Sequence, residues 1–132
     1  MANADLKANR PLSPHLQVYK PILTMVMSIL HRITGAALYF GTVFLAIWLI
    51  SAAAGPEYFD AVNAVYGSWF GRLVLFGFTW ALVHHMLGGL RHFIWDMGHG
   101  FDLPFANWMA KATIIGSVSI TVILWIIGLL VH

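Results

Sequence analysis

Apolar residues run nearly unbroken through three stretches of the chain, from about Ile29 to Ala54, from about Gly71 to Trp95 and from about Ala112 to Val131. A helix needs roughly 20 mostly apolar residues to cross the hydrocarbon core of a bilayer, where no water is present to satisfy backbone N–H and C=O groups. Each stretch is long enough, so the pattern predicts an all-α membrane protein with three transmembrane helices. The first stretch closes at Gly55-Pro56, a pair that breaks helices. Between the first two stretches Glu57 and Asp60 are acidic, and no Lys or Arg occurs before Arg72. Lys7, Arg10, Lys20 and Arg32 precede or open the first stretch, while Arg91 and Lys111 flank the loop between the second and third. By the excess of positive charge on cytoplasmic loops, the N-terminus and that loop should lie inside and His132 outside. Arg72 is the one cation on the wrong side, although a single Arg near a helix end can snorkel to the interface.

Composition sharpens this picture. The chain has 132 residues, 60% hydrophobic and 9% charged, whereas about 25% charge is usual for a soluble domain. So little charge cannot cover a water-exposed surface, and the three spans leave room only for a single transmembrane anchor domain over residues 1–132. With no cysteine, disulfides and thiolate-held metals are excluded, and histidine is left as the metal ligand to consider. The formal charge of +2 is too small and scattered for nucleic-acid binding. The first apolar run is too long for a cleavable signal peptide, and the segment before it, Asn9 to Pro21 with Pro11, Pro14 and Pro21, suggests an extended piece against the membrane or a partner.

Ionisable residues within spans are costly, which makes them functional candidates. Ser28, His31 and Arg32 fall within little more than one helical turn at the inner end of the first span, so they share a face or adjacent faces. They read either as interfacial anchors or as a site for a polar headgroup, with Ser28 donating a hydrogen bond and Arg32 supplying a fixed charge. In the second span His85 and His92 are seven residues apart, on one face and about 10 Å apart along the axis. Gly89 lies between them, where the missing Cβ allows a flat group or another helix to approach. Neutral imidazole is a good ligand for haem iron, and a Gly88-Gly89 pair also serves plain helix packing. His84 points about 100° away from His85, so only one of the two can face a given ligand. His15, His99 and His132 fall outside the spans. Trp69, Trp95 and Trp108 read as an aromatic belt, and the methionines as packing residues.

Three blocks taken in order carry a resemblance. They are Arg10-Pro11-Leu12-Ser13-Pro14-His15-Leu16 with Tyr19, then Ser28-Ile29-Leu30-His31-Arg32-Ile33-Thr34-Gly35, then His85-x-x-x-Gly89-x-Arg91-His92-x-x-x-Asp96. The chain resembles, over nearly its whole length, the cytochrome b556 subunits of succinate dehydrogenase, the larger of two small membrane anchors in respiratory complex II. The resemblance implies a four-subunit complex in which a flavoprotein with FAD oxidises succinate and an iron–sulfur subunit relays electrons to ubiquinone at the membrane. This chain would then carry no catalytic residue for succinate. The resemblance makes Ser28 and Arg32 quinone-binding, His85 the axial ligand of a haem b, and His31, Arg32 and His92 the neighbours of the haem propionates. The second axial ligand is implied to come from the partner anchor.

A transporter subunit using the intramembrane His and Arg as a proton relay is the alternative from another class, and a purely structural anchor is a third. With no transit peptide ahead of Arg10, a bacterial inner membrane is expected rather than a mitochondrial one. Expressed without a second small anchor, the chain is expected to aggregate in mild detergent or to lack haem, as size-exclusion chromatography with absorbance detection would record. A stable, monomeric bis-histidine haem protein from this chain alone would contradict that.

Overall fold

The computed structural model describes residues 18–131. Helix α1 spans Leu23–Ala54, α2 Pro56–Tyr66, α3 Trp69–Asp96 and α4 Leu103–Val131, with no strand among the described residues. α1, α3 and α4 are 32, 28 and 29 residues long and apolar enough to cross a membrane. At 1.5 Å per residue each exceeds the roughly 30 Å hydrocarbon core, so their ends project into the interfaces. This is why α1 begins upstream of Ile29 and α4 upstream of Ala112: the helices continue past the apolar runs.

Local chemistry sets the ends. α1 begins just after Pro21, which cannot donate to a helix and disfavours helical geometry before it. It stops at Gly55, whose φ of 125° is a conformation that glycine tolerates and other residues resist. Pro56 then opens α2 at the first helical position, where its missing N–H costs nothing, and Glu57 stands in the first turn. The acidic loop expected between spans is therefore largely helical. Ser68 caps α3 by accepting from the Gly71 N–H at 3.1 Å. At the other end the Gly98 N–H donates to Trp95 O at 2.8 Å and the His99 N–H to Ile94 O at 3.1 Å, with Gly98 at φ 79°. That pairing satisfies the last carbonyls of the helix. Asp102 Oδ2 accepts from the Phe105 N–H at 3.1 Å and starts α4.

α3 lies between α1 and α4 and packs against both, while α2 lies across the end of the bundle where α1 ends and α3 begins. Polarity runs inside out. Thr34, Ser51, His84, Arg91, Thr113, Ser117 and Thr121 are buried, whereas Ile50, Leu130 and many other large apolar residues are exposed. In lipid this is the favourable arrangement, since small and polar residues bring helices together and apolar side chains face the tails. Thr113 donates to Met109 O at 2.8 Å and Ser117 to Ile114 O at 2.9 Å, so these hydroxyls use their own helix's carbonyls and leave a narrow seam for α3.

Gly41 shows how close α1 and α3 come: a Cβ there would overlap the ring of Phe78. Gly41→Val should force the helices apart and destabilise the assembled protein by about 1–3 kcal/mol, as overpacking does. The expected readout is a lower thermal midpoint in detergent, with a smaller drop for the paired change Gly41→Val with Phe78→Leu.

Candidate functional site

The turn His31–Gly35 of α1 faces the turn His85–Gly88 of α3, and the two interlock. A Cβ on Gly35 would lie 2.9 Å from His85 Cε1, and a Cβ on Gly88 would lie 2.5 Å from His31 Nδ1. Each imidazole thus occupies space that the other helix's glycine leaves free. The rings stack with centroids 4.0 Å apart and planes 5° from parallel. His92, two turns along α3, brings a third ring to 5.1 Å from His31 at a tilt of 44°.

Hydrogen bonds fix the direction of His85. Its Nδ1 lies 3.1 Å from the His31 carbonyl oxygen and 3.3 Å from Thr34 Oγ1. A carbonyl can only accept, so the proton sits on Nδ1 and the lone pair on Nε2. Thr34 is buried and itself donates toward Leu30 O and His31 O at 2.9 and 3.0 Å. Nε2 is left without a partner among the described residues. Gly89, on the same face, is half-buried, and a Cβ there would meet nothing within 4 Å. Among the described residues nothing closes over Gly89, and the face it shares with His85 suits a flat group carrying a metal that takes a nitrogen ligand.

His84 has a different environment. It is buried at 1% exposure, with Nδ1 3.1 Å from Ser117 Oγ of α4 and its ring 5.1 Å from that of Trp80. Its Nε2 is buried and unpartnered. Helical geometry alone separated these neighbours, and their contacts now differ in kind: His84 belongs to the α3–α4 seam, His85 to the α1–α3 face.

Ser28 is half-buried and Arg32 exposed, one helical turn apart near the N-terminal end of α1. His31 is half-buried between them and His92 is exposed. His85, His31 and His92 are thus brought into one cluster, with Ser28 and Arg32 beside it on α1. His99 sits in the α3–α4 turn, its Nδ1 2.8 Å from Met97 O. His15, the rest of the Arg10–Leu16 block, and His132 lie outside the described residues.

Sequence reasoning gave Arg91 only the role of a loop charge. The structure buries it to 3% exposure, with its guanidinium carbon 5.1 Å from the Trp95 ring centroid and with Nε and Nη1 unpartnered. Thr34, Gly35 and Ser117 were also missed as parts of the site, and Gly88 was read only as a helix-packing residue paired with Gly89. The only available signal for the glycines was their spacing of three or four residues from His31 and His85, which is common in packed helices.

Apolar spans around buried polar seams, with an oriented imidazole on one face, define a multi-pass membrane protein with a candidate ligand site beside its helices. The chain belongs to the succinate dehydrogenase/fumarate reductase transmembrane subunit family, whose model matches residues 7–126. It is 44% identical over 121 residues to the succinate dehydrogenase cytochrome b556 subunit of Paracoccus denitrificans, covering 92% of this chain and 93% of that one. It is 36% identical over 122 residues to the subunit of the same name from Rickettsia conorii, covering 92% and 95%. With the mitochondrial succinate dehydrogenase cytochrome b560 subunit of Sus scrofa it shares 38% identity over 107 residues, 77% of this chain and 62% of that one. These relatives leave the transporter reading without support.

Proposed function

We propose that this chain is the larger membrane anchor of a succinate:ubiquinone oxidoreductase, holding one side of a haem b through His85 and part of the quinone site through Ser28 and Arg32. The observation that carries this reading is the orientation of His85. Histidines that bind metals usually donate their other ring N–H to a carbonyl or carboxylate, which fixes the tautomer and raises ligand basicity. The His31 carbonyl stands in that relation to His85 Nδ1 at 3.1 Å, and Nε2 is left to ligate. Gly89 keeps the adjoining space clear. When bound, the haem supplies a reversible one-electron centre, and a second histidine from the partner anchor would close its coordination against oxygen chemistry.

His31, Arg32 and His92 provide donors and positive charge at the inner edge of this face, which suits the propionate carboxylates of a haem. Ser28 and Arg32 divide the quinone work. The Ser28 hydroxyl donates to a quinone carbonyl oxygen and orients the ring, and the guanidinium stabilises negative charge as it develops on that oxygen. Lying at the end of a span, both have access to interfacial water, from which the protons that complete quinone reduction can be drawn. FAD and the iron–sulfur clusters belong to the flavoprotein and iron–sulfur partners, so succinate chemistry stays outside this chain. The apolar spans and the bacterial relatives support a bacterial inner membrane, and the distribution of Lys and Arg along the chain supports an N-terminus and an α3–α4 loop on the inside.

His85→Ala in the assembled complex should abolish or misligate the haem, seen as loss of the sharp reduced bands and of the low-spin electron paramagnetic resonance signal. His84→Gln should keep the spectrum and lower thermal stability, because Ser117 loses a partner at about 1–3 kcal/mol. The opposite pattern would reverse the two assignments.

Quinone chemistry is separable by a ratio, quinone-dependent over quinone-independent succinate oxidation in one preparation. Ser28→Ala should lower that ratio roughly fivefold, the equivalent of about 1 kcal/mol for one hydrogen bond. Arg32→Leu should lower it further, and Arg32→Lys should fall between, since it keeps the charge but not the planar fork. An unchanged ratio in both Ser28→Ala and Arg32→Leu would leave these residues as interfacial anchors.

A further inference from the structure

At the end of the bundle remote from the histidines, a cavity of about 1190 Å³ opens among all four helices. Its walls are aromatic and aliphatic, and Phe44, Leu45, Leu124 and Leu129 are 53, 50, 49 and 64% exposed, so it is open rather than sealed. The polar groups in the lining are mostly occupied. Trp48 Nε1 donates to Asn63 Oδ1 at 3.0 Å, the Tyr66 hydroxyl to Phe44 O at 2.8 Å, and Trp125 Nε1 to Thr79 Oγ1 at 3.2 Å. Among the described residues, Arg72 is the only charged one that lines it.

We propose that this cavity holds an anionic phospholipid, its acyl chains against α1 and α4 and its headgroup phosphate on Arg72. The reasoning is one of matching chemistry. The volume exceeds the roughly 300–1,000 Å³ typical of small-molecule sites, and an apolar space of that size is a poor home for water. Its occupant therefore needs a long apolar part and a compact anionic part. A guanidinium pairs with a phosphate through its planar fork. The first turn of α3, where Arg72 stands, is at headgroup depth for a helix that spans the bilayer. The same pairing accounts for a cation on the side of the membrane where the loop is otherwise acidic: Arg72 there serves a bound lipid. A quinone fits less well, because its two neutral carbonyls leave the Arg72 charge unmatched, and the indole and hydroxyl donors of the lining are already committed, which leaves only the Asn63 amide N–H to meet a carbonyl. A helix of a partner chain would bring no anion to Arg72 unless it carried a carboxylate at that depth.

The test uses the whole complex, purified in mild detergent and washed free of loosely held lipid, with retained phospholipid identified and counted by mass spectrometry. Arg72→Gln should lower retained anionic phospholipid roughly tenfold, as loss of a charge-assisted contact does, and Arg72→Lys should lower it less. Gly128→Leu fills the cavity from α4, where a Cβ meets nothing within 4 Å, and should lower retention of all phospholipid there. The haem spectrum and the quinone-dependent ratio should stay at wild-type values in each variant, which reports that the complex is assembled and that the lipid site is independent of the proposed haem and quinone sites. Retention equal to wild type in Arg72→Gln overturns the proposal, whatever Gly128→Leu does. So does recovery of quinone rather than phospholipid, or a photo-crosslink from Leu129 to the partner anchor in place of lipid.

Discussion

Two histidines and two glycines hold α1 to α3, and much of the site geometry follows from that contact. In a bilayer there is no hydrophobic gain in bringing two apolar helices together, so association rests on close packing and on hydrogen bonds between helices. The contact provides both. Gly35 and Gly88 remove the Cβ atoms that would strike the opposing imidazoles, and the His31 carbonyl and Thr34 hydroxyl take the Nδ1 side of His85. Because His31 is locked face to face with His85, the residues beside it on α1 are fixed in rotation as well. Arg32 is turned outward by the next 100° of helix, and Ser28 lies one turn back on nearly the same side.

The α3–α4 contact works on a different chemistry. Thr113, Ser117 and Thr121 recur every four residues on the buried side of α4, and Thr113 and Ser117 bond to carbonyls of their own helix. Their small side chains admit His84, which Ser117 meets at 3.1 Å. The doubled His84-His85 is thereby divided between two interfaces. A histidine that is wholly buried against a neighbouring helix has no open edge to offer, whereas one that is half-buried with a glycine beside it does. That difference in surroundings is a stronger discriminator than helical facing, which says only that the two rings diverge.

The helical architecture was plain in the sequence because one signal dominates it: long apolar runs with almost no charge have few alternatives in water or lipid. The ends were less plain, since interfacial turns with polar residues still belong to the helix, and α1 and α4 begin well before their apolar cores. The stretch after Gly55-Pro56 read as a loop because its acidic residues were weighed as topology signals, although a proline at the first helical position followed by Glu57 is also a helix start. Arg91 was misread for a related reason. A hydropathy pattern registers a guanidinium as surface, although Trp95 stands four residues further on the same helix, at the spacing that lays its ring beside Arg91. The grouping of His31 with His85 and His92 was not available from spacing at all. Periodicity places residues on a face of one helix, and the register between two helices came from the reciprocal fit of Gly35 and Gly88, which no single helix records.

The two ends of the bundle are built to opposite specifications. At the histidine end, half-buried and exposed polar groups from α1 and α3 gather on one side, with open space at Gly89. At the α2 end, the polar groups of the walls pair with one another, and a single cation stands over an apolar cavity. If the first end takes a haem and a quinone, the chain needs only one strong iron ligand, because a flat group lying on its α1–α3 face presents its other side to a neighbouring chain. A second intramembrane ligand inside this chain would require another helix to cross that face, and α4 is already committed to a different side of α3 through the contact of Ser117 with His84. On that reading the three-helix design calls for a partner at this face: an imidazole held through Nδ1 has its Nε2 free to ligate, and a ligand there offsets the cost of a nitrogen left without a hydrogen bond.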